Sequence, residues 1–115
     1  MSIRIIIEPI SKEKLKEFAK ERFGDLVKAV VDIKQEIVAI GGELHADEEV
    51  LLVEQKSSQG QNLWGINLYP DKEGSDFVEF DSVINLKPSF GNRSRGVEDA
   101  AVREKIERII QKLII

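Results

Sequence analysis

The stretch LVKAVVDIKQEIVAI, residues 26–40, decides how the rest of the chain is read. Leu26 to Ile33 and Ile37 to Ile40 are β-branched runs separated by Lys34, Gln35 and Glu36, which is the pattern of a β-hairpin.

On the N-terminal side, Ile3 to Ile7 is a further β-branched run and predicts a strand. Ser11 then reads as a helix N-cap, with Leu15, Phe18, Ala19 and Phe23 on one helical face and Gly24 as the stop. Ile10 before the cap and Leu15 after it have the spacing of a hydrophobic staple, so a helix is expected over 11–23.

On the C-terminal side, Gly41-Gly42 ends the hairpin. From Asp47 to Gln55, the apolar run Val50 to Val53 suits either a buried strand or a short helix, and the acidic residues ahead of it favour the helix. Ser57 to Gln61 reads as a loop. Leu63 to Tyr69 and Phe77 to Lys87 predict a second hairpin, with Trp64, Ile66 and Leu68 alternating against Asn67 and Tyr69. In its second strand, Val78, Phe80, Ile84 and Leu86 alternate against Glu79, Asp81, Asn85 and Lys87. A last helix over about 97–113 carries Val102, Ile106, Ile109, Ile110 and Leu113 as its stripe. Ile114 and Ile115 extend apolar surface to the terminus, as docking or a homodimer seam would.

The order strand, helix, hairpin, helix, hairpin, helix predicts an α+β fold: a mostly antiparallel sheet of about five strands with helices packed mainly on one face. The other face, bearing Asn67, Glu79, Asp81, Asn85 and Lys87 among Leu63, Tyr69, Phe77 and Val83, would suit a ligand or a partner. At 115 residues, without repeats or long linkers, the chain is expected to be a single domain, residues 1–115. Composition narrows the function further. With 42% hydrophobic and 33% charged residues, no long apolar run and no basic-then-apolar leader, the chain reads as a cytoplasmic protein without a membrane partner. No cysteine means no disulfide framework and no thiolate nucleophile. A net charge of −4 opposes a surface that coats nucleic acid throughout, although local patches can differ from the mean.

Two segments can carry chemistry. The first is GGELHADEE, residues 41–49, within an interval from Glu36 to Glu54 that holds six carboxylates and neither Lys nor Arg. It contains the chain's one histidine, His45, with Glu43, Asp47, Glu48 and Glu49 around it. In a helix His45 and Glu49 would share a face and could hold a divalent metal, with His45, Glu43 and Asp47 as candidate catalytic groups. The pattern is not HExxH and lacks a second histidine, and acidic residues at a helix start need no metal to explain them.

The second segment runs from Ser82 to Val97 and contains no carboxylate. Lys87, Asn92, Arg93, Ser94 and Arg95 there form a candidate anion-binding loop leading into the last helix, for a small anionic ligand, a nucleotide or an acidic partner. It has neither the P-loop pattern nor the dinucleotide glycine fingerprint. The alternative is that Arg93 and Arg95 merely pair with Glu43 or Asp47 across the fold. Trp64 reads as core, whereas Phe90 beside Gly91 suits an exposed stacking surface. Charge complementarity predicts that Glu43 and His45 sit on the rim of a cleft facing the Arg93–Arg95 loop.

GGELHADEE, LWGINLYP (63–70) and INLKPSFGNRSRGVED (84–99) together resemble a small uncharacterised prokaryotic domain-of-unknown-function family. The resemblance covers nearly the whole chain and implies one domain. It brings no reaction, cofactor or catalytic residue with it. Two functions stay open: a binding or regulatory module holding an anionic ligand or partner at the Arg-rich loop, or a metal-assisted hydrolase or transferase acting on a phosphorylated small molecule.

Overall fold

A computed structural model describes residues 2–115. Five antiparallel strands form one sheet in the order β1-β3-β2-β4-β5: β1 is Arg4–Ile6, β2 Val27–Asp32, β3 Ile37–Ile40, β4 Leu63–Leu68 and β5 Val78–Glu79. Three helices join them, α1 (Lys12–Arg22), α2 (His45–Lys56) and α3 (Ala100–Leu113). This is an α+β fold.

The 26–40 stretch forms the hairpin, with Ala29 opposite Ile40 and Asp32 opposite Ile37. Its two faces feed two separate cores. Val27, Ala29, Val31, Val38 and Ile40 belong to the larger one, with Leu15, Phe18 and Ala19 of α1 and Ile106, Ile109, Ile110 and Leu113 of α3. Val30, Ile37 and Ala39 point the other way and pack with Leu63 and with Leu52 of α2. Two helices therefore cover one face and α2 covers part of the other.

The staple forms as expected: Ile10 and Leu15 are both buried in the larger core, and the Ser11 hydroxyl accepts from the Lys14 amide at 3.1 Å. Phe23 departs from its assigned face. It is 39% exposed, because α1 has ended, and the Lys28 ammonium lies over its ring. Strand β3 stops where Gly41 takes φ +89°, a value that favours glycine; a Cβ there would also meet the Phe18 ring at 2.7 Å. The segment after it is helical, as the acidic front suggested, and begins at His45, two residues earlier than read from the sequence.

The second hairpin needs correction. Phe77 to Lys87 is not one strand: pairing ends after Glu79, and single helical turns occupy Val83–Asn85 and Pro88–Phe90. The cause is Asn85, which is fully buried. Its carboxamide accepts from the Gly65 amide at 2.8 Å and donates to the Gly65 carbonyl at 2.9 Å. One side chain thus fills the slot on the open edge of β4 that a strand's backbone would otherwise take. Phe77, read as part of the mixed face, belongs to the larger core.

The candidate binding loop and the acidic segment

Because Asn85 is anchored to β4, the chain after it is held from inside. Asn92, also buried, donates from its amide nitrogen to the carbonyls of Asn85 (2.7 Å), Gly96 (2.8 Å) and Ser94 (3.2 Å) and accepts from the Glu98 amide at 2.9 Å. The Arg95 carbonyl accepts from the Ser82 amide and from Asn85. A loop with this much internal bonding presents its remaining side chains in fixed positions.

The five residues expected to bind an anion divide into two groups. Lys87 is 9% exposed; its ammonium donates to the Ile84 carbonyl at 2.8 Å and lies 5.1 Å from the Trp64 ring centre. Burial lowers its pKa, partly opposed by Glu49. Lys87 and Asn92 thus act as internal struts, and the Ser94 hydroxyl accepts from the Gly96 amide at 3.2 Å. Arg93 and Arg95 are exposed. Arg95 pairs with Asp81 at 2.7 Å, with both side chains about half exposed, and not with Glu43 or Asp47. Such a pair is worth about 0–1 kcal/mol and does not withhold the guanidinium from a stronger acceptor.

The backbone donors of the loop already hold an anion, supplied by the chain. One carboxylate oxygen of Glu98 accepts from the amides of Arg93 (2.5 Å) and Ser94 (3.0 Å). Two successive amides converging on one oxygen form an anion-binding nest, and here its occupant comes from the turn before α3. The same 82–97 segment also carries exposed apolar side chains, Phe90 at 64%, Val83 at 61% and Leu86 at 45%. Leu86, Lys87 and Phe90 line a shallow groove with Glu49 of α2, so one residue of the acidic segment does reach the loop.

The other candidate residues of the acidic segment do not line that groove. His45 is buried; its Nε2 lies 2.8 Å from the Ile66 carbonyl, to which it must donate, and the ring lies against Gly65. Burial lowers its pKa; the Ile66 bond and Asp81 oppose that shift, while Lys28 and Arg95 add to it. The neutral ring is favoured near pH 7. Glu43 and Asp47 are exposed. Glu48 is fully buried, with one carboxylate oxygen on the Gly42 amide at 2.9 Å and the other unpaired, and burial pushes its pKa well up. Among the described residues, no group of three or more His, Asp or Glu side chains is placed to hold a metal ion.

Sequence reasoning missed Asn85, Glu98 and Asp81 as partners of the loop. Asn85 and Asp81 sat at polar positions of an assumed strand. Glu98 carried a signal, standing four and five residues after the amides that it binds.

The chain matches, over residues 4–113, the family model described as a protein of unknown function, DUF5674. It belongs to that family. No curated protein and no solved structure matches it. Among the described residues, no helix is long and apolar enough to cross a membrane.

Proposed function

We propose that the protein is a binding module that engages a carboxylate- or phosphate-bearing partner at the loop carrying Arg93 and Arg95. The observation that carries this reading is the division of labour in the loop. Asn85, Asn92 and Lys87 are spent on holding the backbone, while Arg93 and the Phe90 ring are exposed and Arg95 is engaged only by a half-exposed pair with Asp81. Rigid presentation lowers the ordering cost of binding, and arginine and aromatic residues are those that recur at recognition surfaces. Guanidinium forks suit carboxylate and phosphate oxygens.

Glu98 sets the terms of the competition. A partner anion either sits on the guanidinium groups outside the nest or takes the place of the Glu98 carboxylate on the Arg93 and Ser94 amides. The binding reading is preferred to metal-assisted hydrolysis because the acidic residues diverge. The His45 Nε2 is turned to the Ile66 carbonyl, and Glu49 faces the Lys87 groove.

The test is a thermal-shift titration with inorganic phosphate and pyrophosphate. Ligand that binds only the native state raises the melting temperature by mass action. The wild type should respond, and the Arg93→Ala/Arg95→Ala variant should not. A Glu98→Gln variant should respond at lower ligand concentration if the nest is the seat. Equal responses in the wild type and the double arginine variant would remove the loop from the function.

A further inference from the structure

The two edges of the sheet are treated differently. Beyond β5, the edge of β4 is closed by the Asn85 carboxamide. At the other edge stands β1, followed by Ile7 and Glu8, and among the described residues no strand pairs with its outer side. Ile7 is 53% exposed, and Ile3, Ile5 and Ile7 line a groove of about 780 Å³ with Leu51 of α2. An open apolar edge of this kind is a template for another strand.

The direction of its backbone groups follows from the hairpin. The Gly41 amide donates to the Lys28 carbonyl, so the hydrogen-bonded pairs between β2 and β3 are Lys28–Gly41, Val30–Ala39 and Asp32–Ile37. Val38 and Ile40 must then turn their amides and carbonyls toward β1, where they meet Ile6 and Arg4. The backbone groups of Ile5 are left pointing outward; β1 ends at Ile6, and pairing with a further strand would carry the same alternation on to Ile7, just before the chain bends at Glu8.

We infer that this edge pairs with the same edge of a second copy, antiparallel and centred on Ile6, to make a homodimer with one continuous sheet. The sequence is complementary to itself in that register alone. Ile6 faces the partner's Ile6, Ile5 faces the partner's Ile7, and Arg4 faces the partner's Glu8 twice over by symmetry. The outward groups of Ile5 and Ile7 form the hydrogen-bonded pairs, and each exposed Ile7 enters the other copy's groove beside Ile5 and Leu51. Pro9, which has no amide hydrogen, falls opposite the partner's Ile3 and ends the ladder. Centring on Ile5 instead would set Arg4 against the partner's Ile6 and lose both charge pairs.

Sedimentation velocity up to about 0.5 mM suits so short an interface, which belongs to the small, weak class. The wild type should show a concentration-dependent dimer. Arg4→Glu and Glu8→Arg should each weaken it by about tenfold or more, since each replaces two attractive cross-strand pairs with two repulsive ones. The Arg4→Glu/Glu8→Arg variant should restore it with the charges exchanged, and Ile7→Lys should abolish it. All of these positions are exposed, so circular dichroism should find every variant folded. A wild type that stays monomeric overturns the inference. So does a dimer that ignores the single variants, or one that the exchanged pair fails to restore.

Discussion

Replacing Asn85 by alanine tests whether one side chain substitutes for a missing strand. Asn85 is fully buried and its carboxamide makes three hydrogen bonds, two to Gly65 and one to the Arg95 carbonyl. In Asn85→Ala the Arg95 carbonyl keeps the Ser82 amide as a donor. The Gly65 amide and carbonyl lose their partner. Each buried backbone group left unpaired costs about 1–3 kcal/mol, so the variant should lose about 2–6 kcal/mol, a large part of the stability of a domain this size. Urea unfolding followed by circular dichroism measures the loss. Hydrogen exchange locates it, because the Gly65 amide should exchange far faster than that of Ile66, whose position pairs with β2. Asn85→Asp should do no better than alanine at neutral pH, since a carboxylate can accept from the Gly65 amide but meets the Gly65 carbonyl with like charge. A loss below about 1 kcal/mol in Asn85→Ala, with Gly65 still protected, would show that the 82–96 segment is held by other contacts and refute the peptide-mimic reading.

Two further predictions concern the smaller core. Burial raises the Glu48 pKa in the folded chain, so the native state keeps a proton that the unfolded chain releases above about pH 4.5. Stability from this group is full below that pH and is lost as pH rises toward the folded value. Glu48→Gln should therefore flatten the fall in urea midpoint between about pH 4.5 and 8, and parallel curves for the two proteins would sink the assignment. At Gly65 a Cβ would meet the Ser82 side chain at 2.5 Å and the His45 ring at 3.2 Å. Gly65→Ala should accordingly cost about 1–3 kcal/mol in urea unfolding, and a neutral result would mean that the 82–96 segment yields freely.

Most of the fold was legible because its signals are local. The Ser11 cap, the Ile10–Leu15 staple, the 26–40 hairpin and the α3 stripe each lie within a few residues of one another. The failure after Glu79 has the opposite cause. Val78 to Lys87 alternates as a strand should, but alternation reports which side a residue faces, not which backbone it pairs with. Asn85 took over that pairing from twenty residues away. The candidate site was half legible for the same reason. Exposed Arg93, Arg95 and Phe90 follow from composition and turn residues, whereas the inward roles of Lys87 and Asn92 depend on carbonyls that only the folded loop brings together. His45 misled because its polar neighbours in sequence are not its neighbours in space: its ring reaches β4, not a rim.

The division of the interior into two unequal layers bears on how the molecule comes apart. Helix α2 rests on the smaller layer, where Leu52 is its one fully buried apolar side chain and the other two buried residues are His45 and Glu48. Both are ionisable, and each favours its neutral form in the folded state. Just beyond its far end, Ser58 is tied by its hydroxyl to Asp32 at 2.6 Å, and that carboxylate also receives the amides of Lys34 and Gln35. The helix is thus tied near both ends, to Ile66 and Gly42 through His45 and Glu48 and to Asp32 through Ser58, with little apolar burial between. Native-state hydrogen exchange should therefore find α2 opening at lower free energy than α1 and α3, which pack on the larger core. Acid should favour that opening through His45, whose ring takes up a proton more readily once it leaves its buried position, and alkali through Glu48, whose carboxyl ionises more readily once solvated. Between those limits the neutral forms of both residues favour the packed helix.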